Sequence, residues 1–531
     1  MSNLNNNIIN ERMERFDKYL EYSGMDRKQY QYDGVKWCLQ NELQPPNIYQ
    51  LQKQAELEAR EKDPEKKIKK ITVKNEEEAY IRGGFLVDEM GLGKTITMIG
   101  LMLCNYVKRT LIVLPPILID QWINQIYRTT GHIPLLYHGT NKKKITVEQL
   151  NNSLIVITTY GAITISKKKL DMIKIAPDLT DTVITDLHKV HWSRIIFDEA
   201  HHLRNGNSRS RSVKMLNANI RWLVSGTPIQ NSSRDFHNLC SVLKMPPGFY
   251  RNLDNRAILT QKYILKRTKK QVGIKIPDVF SEKQIVPWKN AFEKELSEEL
   301  HSWLSFEGHP EMKDDKYLCS MLYSDKGPLP IYIRSRQMCI LPSMMTKVIK
   351  ELDWFCSWMD MDKSYICFDV YNEALKHNSK MDAFIEKMIE RKDNGNGKIV
   401  FCHFKEEIDI IQKRLWTIGI TKIAIFDGRV SNGERNDILT MKNEVLILQI
   451  QTGCEGLNLQ ENYNEIYFVS AHWNPAVEEQ AIARCHRIGQ KKEVFVFRFE
   501  MGGFIEDTKS LEKYVDTVQV NKKAIASEII P

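Results

Sequence analysis

Paired cysteines are missing from this 531-residue chain: its ten cysteines are scattered from Cys38 to Cys485 without one C-x-x-C pair. That argues against a zinc module and against the disulfide framework of a secreted domain, and the cysteines read as reduced, mostly buried apolar residues. Long hydrophobic runs are missing too. The longest, around Leu111 to Ile119, is far too short to span a bilayer, and the polar start from Met1 to Glu11 lacks the basic-then-apolar pattern of a signal peptide. The expectation is an intracellular, soluble protein with no membrane contact. No internal repeat of about 20 to 50 residues is found, which excludes a solenoid.

What is present is an ordinary globular composition, 42% hydrophobic and 27% charged, enough for two or three cores. The net charge of +9 suits a protein that meets phosphate backbones, and supports that reading without deciding it. Lysine clusters at Lys66 to Lys70, Lys142 to Lys144 and Lys167 to Lys169 read first as solvated faces, with nucleic-acid contact the minority reading.

Two stretches have the texture of α/β cores. The first carries short apolar runs at Gly84–Val87, Thr110–Leu114, Leu154–Ile157 and Ile195–Phe197. The second carries Lys398–Phe401, Ile423–Phe426, Val445–Leu448, Glu465–Val469 and Val494–Phe497. Alternation with helical patterns predicts two lobes, each a parallel sheet covered on both faces. The predicted organisation is an N-terminal segment 1–46, a charged insertion 47–80 with one helix over Tyr49–Lys62, a first lobe 81–285, helical insertions and an interlobe connection 286–375, a second lobe 376–500, and a helical tail 501–531.

Strand Gly84–Val87 runs into Asp88-Glu89-Met90-Gly91-Leu92-Gly93-Lys94-Thr95 and then an apolar helix. Gly91 and Gly93 let backbone N–H groups approach phosphate oxygens at a helix N-terminus, Lys94 can reach the β/γ-phosphates, and the Thr95 hydroxyl can ligate Mg²⁺. The generic P-loop places glycine where this chain has Asp88, so the general pattern fails at one position. Strand Ile195–Phe197 ends in Asp198-Glu199-Ala200-His201, carboxylates at the C-terminal edge of a parallel sheet, where ligands bind. Asp198 is placed to hold Mg²⁺ through water, and Glu199 to orient and deprotonate an attacking water.

These segments resemble the Swi/Snf-type ATPases of helicase superfamily two, whose phosphate-turn signature is similar to Asp88–Thr95 including the non-glycine at position 88. The resemblance runs from about Gln29 to the C-terminal tail, with the motifs in the family's order. It implies two RecA-like lobes, ATP and Mg²⁺ as cofactors, and double-stranded DNA as partner, extending to nucleosomes or other DNA-bound proteins, with targeting partners unidentified. The location implied is the nucleus in a cellular eukaryote, or host cytoplasm or virion if the source is viral. By the same resemblance Gln31 contacts adenine, joining Asp88, Gly91, Leu92, Gly93, Lys94 and Thr95 at the nucleotide. Thr158, Thr159, Thr452 and Trp473 meet the nucleic-acid backbone, and His201, Ser225, Thr227 and Gln480 couple hydrolysis to movement. Ile264–Lys269 is similar to the basic segment leaving the first lobe, and Arg336–Pro342 to the interlobe marker, with Leu341 in place of a usual histidine. In Gln480–Gln490, Arg484 and Arg487 are three apart, which on a helix puts them on one face, able to meet the γ-phosphate across the cleft.

Three functions follow from different classes: a duplex DNA translocase that remodels protein–DNA complexes, a strand-separating helicase on DNA or RNA, and an ATP-driven switch that binds a protein. The resemblance favours the first, and no wedge element for strand separation is identifiable.

Overall fold

Short apolar runs become parallel strands, and the chain divides into two units: unit 1 is Met1–Lys275 with Lys522–Pro531, and unit 2 is Ile276–Asn521. The computed structural model describes residues 2–62, 79–176, 178, 180–304, 318, 322, 329–430, 434, 437, 438, 441–453, 457–504 and 510–530. The cluster Lys66 to Lys70 lies outside the described residues, as does the insertion beyond Lys62 up to 78.

In unit 1, β1 (Arg82–Leu86), β2 (Thr110–Leu114), β3 (Leu135–Tyr137), β4 (Ile155–Thr159), β5 (His191–Asp198), β6 (Asn217–Val224) and β7 (Ile264–Leu265) form a parallel sheet in the order β3-β4-β2-β5-β6-β1-β7. Every residue of β2 is buried, as expected of a strand covered on both faces. One face packs Phe16, Val35, Met98, Trp122 and Trp222 from the helices Ser2–Ser23, Gln29–Leu43, Lys94–Cys104 and Ile119–Thr130 and from β6. The other packs Phe85, Phe197, Phe236, Leu239 and Tyr263. Helix Ile48–Lys62 joins this second core through Ile48, Leu51 and Ala55. So do Ile529 and Ile530, at the far end of the helix Leu511–Ile529. Lys266 Nζ donates to Ile530 O at 2.7 Å, and Arg256 pairs with Glu528 at 2.9 Å. Ile529 and Ile530 are therefore part of unit 1's core.

One ionic cluster lies inside unit 1. Glu42, wholly buried, accepts from Arg194 Nε at 2.6 Å, Trp222 Nε1 at 2.8 Å and Asn105 Nδ2 at 2.6 Å, with Arg194 Nη2 on its second oxygen. It ties the helix that carries Gln31 to β5 and β6.

Unit 2 holds β8 (Val279–Val286), β9 (Lys398–Cys402), β10 (Ile423–Phe426), β11 (Val445–Gln449), β12 (Glu465–Phe468) and β13 (Val494–Met501), parallel in the order β10-β11-β9-β12-β13-β8. β8 was not expected from the sequence. It is an edge strand, exposed along nearly all its length, and charges such as Glu282 and Lys283 interrupt its apolar pattern. Two cores serve this unit, one on the sheet and one among the helices Ala291–Ser302, Leu329–Ile340 and Thr346–Trp358. Leu341, where the resembling family has histidine, is buried in the sheet core, an environment that favours an apolar side chain.

Candidate nucleotide site

The strand order β5-β6-β1 decides which residues meet at the C-terminal edge of the first sheet. β1 delivers Asp88 to Lys94, β6 delivers Ser225, and β5 delivers Asp198 and Glu199. Ser225 N–H donates to Leu86 O at 3.1 Å, so the neighbouring strand ends are in register as they leave the sheet.

Beyond β1 the chain stays tethered for three residues: Val87 N–H donates to Leu265 O at 2.8 Å, and Glu89 N–H to Arg267 O at 2.9 Å. It then turns through Gly91 and Gly93, at φ 90° and 78°, values that favour glycine. Gly93 is the N-cap of the helix Lys94–Cys104, so the orphan N–H groups and positive dipole end of that helix face the turn. A Cβ at Gly93 would lie 2.4 Å from Gln31 Nε2, which itself donates to Leu92 O at 3.3 Å. Gln31, buried on helix Gln29–Leu43, thus reaches the phosphate turn. Lys94 Nζ donates to Asp88 O at 2.9 Å, and Thr95 lies half-buried in the first helical turn.

Asp198 is buried and accepts from Trp122 Nε1 at 2.7 Å and from Glu199 N–H at 3.0 Å. Burial first, and then the neighbouring Glu199 charge, raise its carboxyl from 3.8 to about 6, while the Trp122 hydrogen bond and the Lys94 charge act the other way. Tyr160 Oη donates to Asp198 O at 2.7 Å. Glu199 has φ 50° and ψ 50°, a left-handed conformation that costs a non-glycine residue about 1–3 kcal/mol and clusters at functional sites. Its Oε2 lies 3.3 Å from His201 Nδ1, and His201 Nδ1 lies 3.3 Å from Ser225 Oγ. Ser225 Oγ accepts from Thr227 N–H at 3.3 Å. The three unit 1 residues expected to couple hydrolysis to movement therefore form one polar chain leading away from Glu199.

Thr158 and Thr159 end β4, both buried. Thr158 Oγ1 donates to Tyr137 O at 2.8 Å, and Thr159 Oγ1 is 3.2 Å from His138 Nδ1. Their hydroxyls are engaged within unit 1, away from the phosphate turn.

In unit 2, Thr452 lies in the short helix Ile450–Gly453; its side chain and residues 454–456 are outside what the structure describes. Trp473 packs edge-on to Tyr332 and Tyr514 at ring distances of 6.0 and 6.1 Å, with the Arg336 guanidinium 5.6 Å from its ring centre. Gln480 is buried on the helix Pro475–Ile482. The expected helical face for Arg484 and Arg487 needs correction, because that helix ends at Ile482. From there the backbone bonds tighten, Arg484 N–H to Ala481 O at 3.2 Å and Arg487 N–H to Cys485 O at 3.1 Å, while Leu459 N–H takes Arg484 O at 3.1 Å and Gly489 turns at φ 98°. Both arginines thus stand on a turn. Arg487 donates to Asn458 Oδ1, and burial followed by the Arg484 charge lowers its guanidinium to about 10, still protonated at neutral pH.

Two residues of the nucleotide edge had no individual role in the sequence reading: Trp122, which donates to Asp198, and Arg267, which pairs with Asp88. Each lies far along the chain from its partner, and only the strand order brings them together.

A phosphate turn and a carboxylate pair at one edge of a parallel sheet, on strands separated only by β6, together with a second parallel-sheet unit in the same chain, are the parts of a helicase-like nucleotide hydrolase. The family model described as SNF2-related domain matches residues 30–256, and that described as helicase conserved C-terminal domain matches residues 379–489. A putative SWI/SNF-related matrix-associated actin-dependent regulator of chromatin, subfamily A member 3-like 1, of Arabidopsis thaliana is 26% identical, over 82% of this chain and 58% of its own length. The probable global transactivator of Orgyia pseudotsugata multicapsid polyhedrosis virus is 27% identical over 84% and 86%, and the DNA repair protein RAD5 of Candida albicans 24% over 85% and 56%. The chain spans little more than half the length of the plant and yeast relatives. By these two matches, one in each unit, the chain is SNF2-related and helicase-like. Among the described residues no helix is long and apolar enough to cross a membrane.

Proposed function

We propose that this ATPase is a motor that moves along double-stranded DNA and uses turnover to remodel protein–DNA complexes, nucleosomes among them. The observation that supports the reading is the series of close polar approaches, each 3.3 Å, from Glu199 Oε2 through His201 and Ser225 to Thr227, which sets the hydrolytic carboxylate beside the segment that follows β6. Relatives named as a chromatin regulator and as a DNA repair protein support DNA as the track.

In this reading Gln31 selects adenine, its amide both donating and accepting. Lys94 and the N–H groups after Gly93 hold the phosphates, and Glu199 takes the proton of the attacking water. Mg²⁺ would be held between the phosphates and the protein, with Thr95 and the buried Asp198 as the protein's share. The ion would neutralise phosphate charge. Arg484 and Arg487 act on the charge that develops at the γ-phosphate. Thr158, Thr159, Thr452 and Trp473 belong to the elements that follow the DNA backbone; since the Thr158 and Thr159 hydroxyls are engaged, their contribution is through the loop each anchors. Contacts of this kind sense geometry and not base sequence.

The test compares ATPase rates without nucleic acid and with duplex DNA, single-stranded DNA, RNA and nucleosomes, then scores displacement of a triplex third strand against opening of a forked duplex. Duplex should stimulate several-fold, and the third strand should leave while the fork stays closed. Efficient fork opening without triplex displacement would make the chain a strand-separating helicase, and an ATPase indifferent to nucleic acid would make it a protein-directed switch.

A further inference from the structure

Position 88 is where a generic phosphate turn has glycine and this chain has a buried aspartate, 1% exposed. Its carboxylate is gripped at both oxygens: Arg267 Nε donates to Oδ1 at 3.0 Å and Nη2 to Oδ2 at 2.5 Å, a bidentate pair of the kind that fixes geometry as well as charge. The third guanidinium nitrogen, Nη1, donates to Tyr30 O, the residue before Gln31, and the guanidinium sits 5.7 Å from the centre of the Tyr30 ring. Gly34, one turn further along the same helix, leaves room for this approach, since a Cβ there would come within 2.7 Å of Arg267 Nη2. The backbone of Arg267 holds Glu89 N–H at 2.9 Å, and Lys269 holds the Glu89 carboxylate through both its N–H, at 2.8 Å, and its Nζ, at 3.1 Å.

One side chain therefore spans the start of the phosphate turn and the start of the helix that carries Gln31. We infer that Arg267 is a positioning residue that sets the distance between the adenine-reading glutamine and the phosphate-holding turn, so that base identity is felt where the phosphates are held. This rests on the adenine reading of Gln31. With its charge cancelled by Asp88, Arg267 acts on the nucleotide through the two segments it joins. Loosening it lets Gln31 move independently of Leu92 and Gly93, and the energy lost is binding energy that distinguishes ATP from GTP. Lysine is no substitute, because a point ammonium cannot hold two carboxylate oxygens and a carbonyl in one plane.

The test uses the full chain with Arg267→Lys, and with the charge-free pair Asp88→Asn/Arg267→Met, which avoids stranding a buried carboxylate; circular dichroism and melting confirm the fold. Both variants should raise KM for ATP about tenfold, with the loss falling on KM more than on kcat, as when ground-state and transition-state binding are lost together. The ATP-to-GTP ratio of kcat/KM should fall at least fivefold, and Gln31→Ala should lower the same ratio. A role confined to general stability would leave that ratio unchanged in the folded variants, and that result overturns the assignment. If Gln31→Ala lowers the ratio and the Arg267 variants do not, the clamp alone is refuted. If neither does, the adenine reading falls and the clamp with it.

Discussion

The Asp198 carboxyl should leave a readable mark on stability as a function of pH. Its folded value is raised from 3.8 to about 6, chiefly by burial. A raised acid binds its proton more tightly in the native state, so its stabilising contribution is complete below the unfolded value and is lost as pH rises through the folded one. At about 1.4 kcal/mol for each tenfold change in proton affinity, the rise places roughly 3 kcal/mol of cost on the native state above pH 7, of which about 1–2 kcal/mol is imposed between about pH 5 and 7.5. The perturbation is Asp198→Asn, which cannot ionise. Because asparagine offers one acceptor where Trp122 Nε1 and Glu199 N–H need two, the variant loses a hydrogen bond at every pH, and the absolute stabilities are not the comparison to make. The difference between wild type and variant across pH removes that constant. Urea melts of the nucleotide-free protein, in steps of about half a pH unit over that range, should show wild type losing about 1–2 kcal/mol more than the variant, and saturating Mg²⁺ with ADP should shrink the gap by favouring the ionised carboxylate. Parallel curves for the two proteins would refute a buried, proton-retaining Asp198.

Glu199→Gln should bind ATP normally and turn it over about a hundredfold more slowly or worse, measured as phosphate release with saturating duplex, because an amide cannot accept the water's proton. Arg487→Ala should lower kcat far more than ATP affinity, by as much as about 10³-fold, and Arg487→Lys should recover little; near wild-type turnover in either would return Arg487 to a structural role beside Asn458. Arg194→Met, which leaves Glu42 buried without its guanidinium, should destabilise unit 1 by about 3–5 kcal/mol in denaturant melts. Duplex stimulation of the ATPase should fall steeply from about 50 to 200 mM salt as counterion release is lost, and a flat response would argue against backbone contacts.

The central strands were legible because burial on both faces forces continuous apolar runs, as at Thr110–Leu114 and Lys398–Cys402. β8 was illegible for the opposite reason, since this edge strand is exposed along nearly all its length and carries charge. The phosphate turn and Asp198–Glu199 could be read as local motifs, and strand order then brought them to one edge. Asp88 showed only as a broken rule. The guanidinium that explains it lies 179 residues away, and the Trp122 donor that holds Asp198 lies 76 away, separations at which no local pattern operates. The helical face assigned to Arg484 and Arg487 failed because a spacing of three implies a face only while the helix lasts, and this helix ends at Ile482, before either arginine.

The return of residues 522–530 to unit 1 bears on how the protein is made. Ile529 and Ile530 fill a core whose other buried members are translated hundreds of codons earlier, so the first lobe to leave the ribosome cannot complete that core until residues 529 and 530 have been made. During that interval the part of the core near Lys266 and Arg256 that this tail joins waits incomplete, a target for chaperones and for self-association. A fragment cut after Lys275 would keep every residue of the nucleotide edge described above and still lack part of its hydrophobic filling, whereas the same fragment with residues 522–530 fused back through a flexible linker would hold a whole core. Subcloning by lobe, the natural way to study a two-lobed motor, has to follow the packing and not the order of the gene.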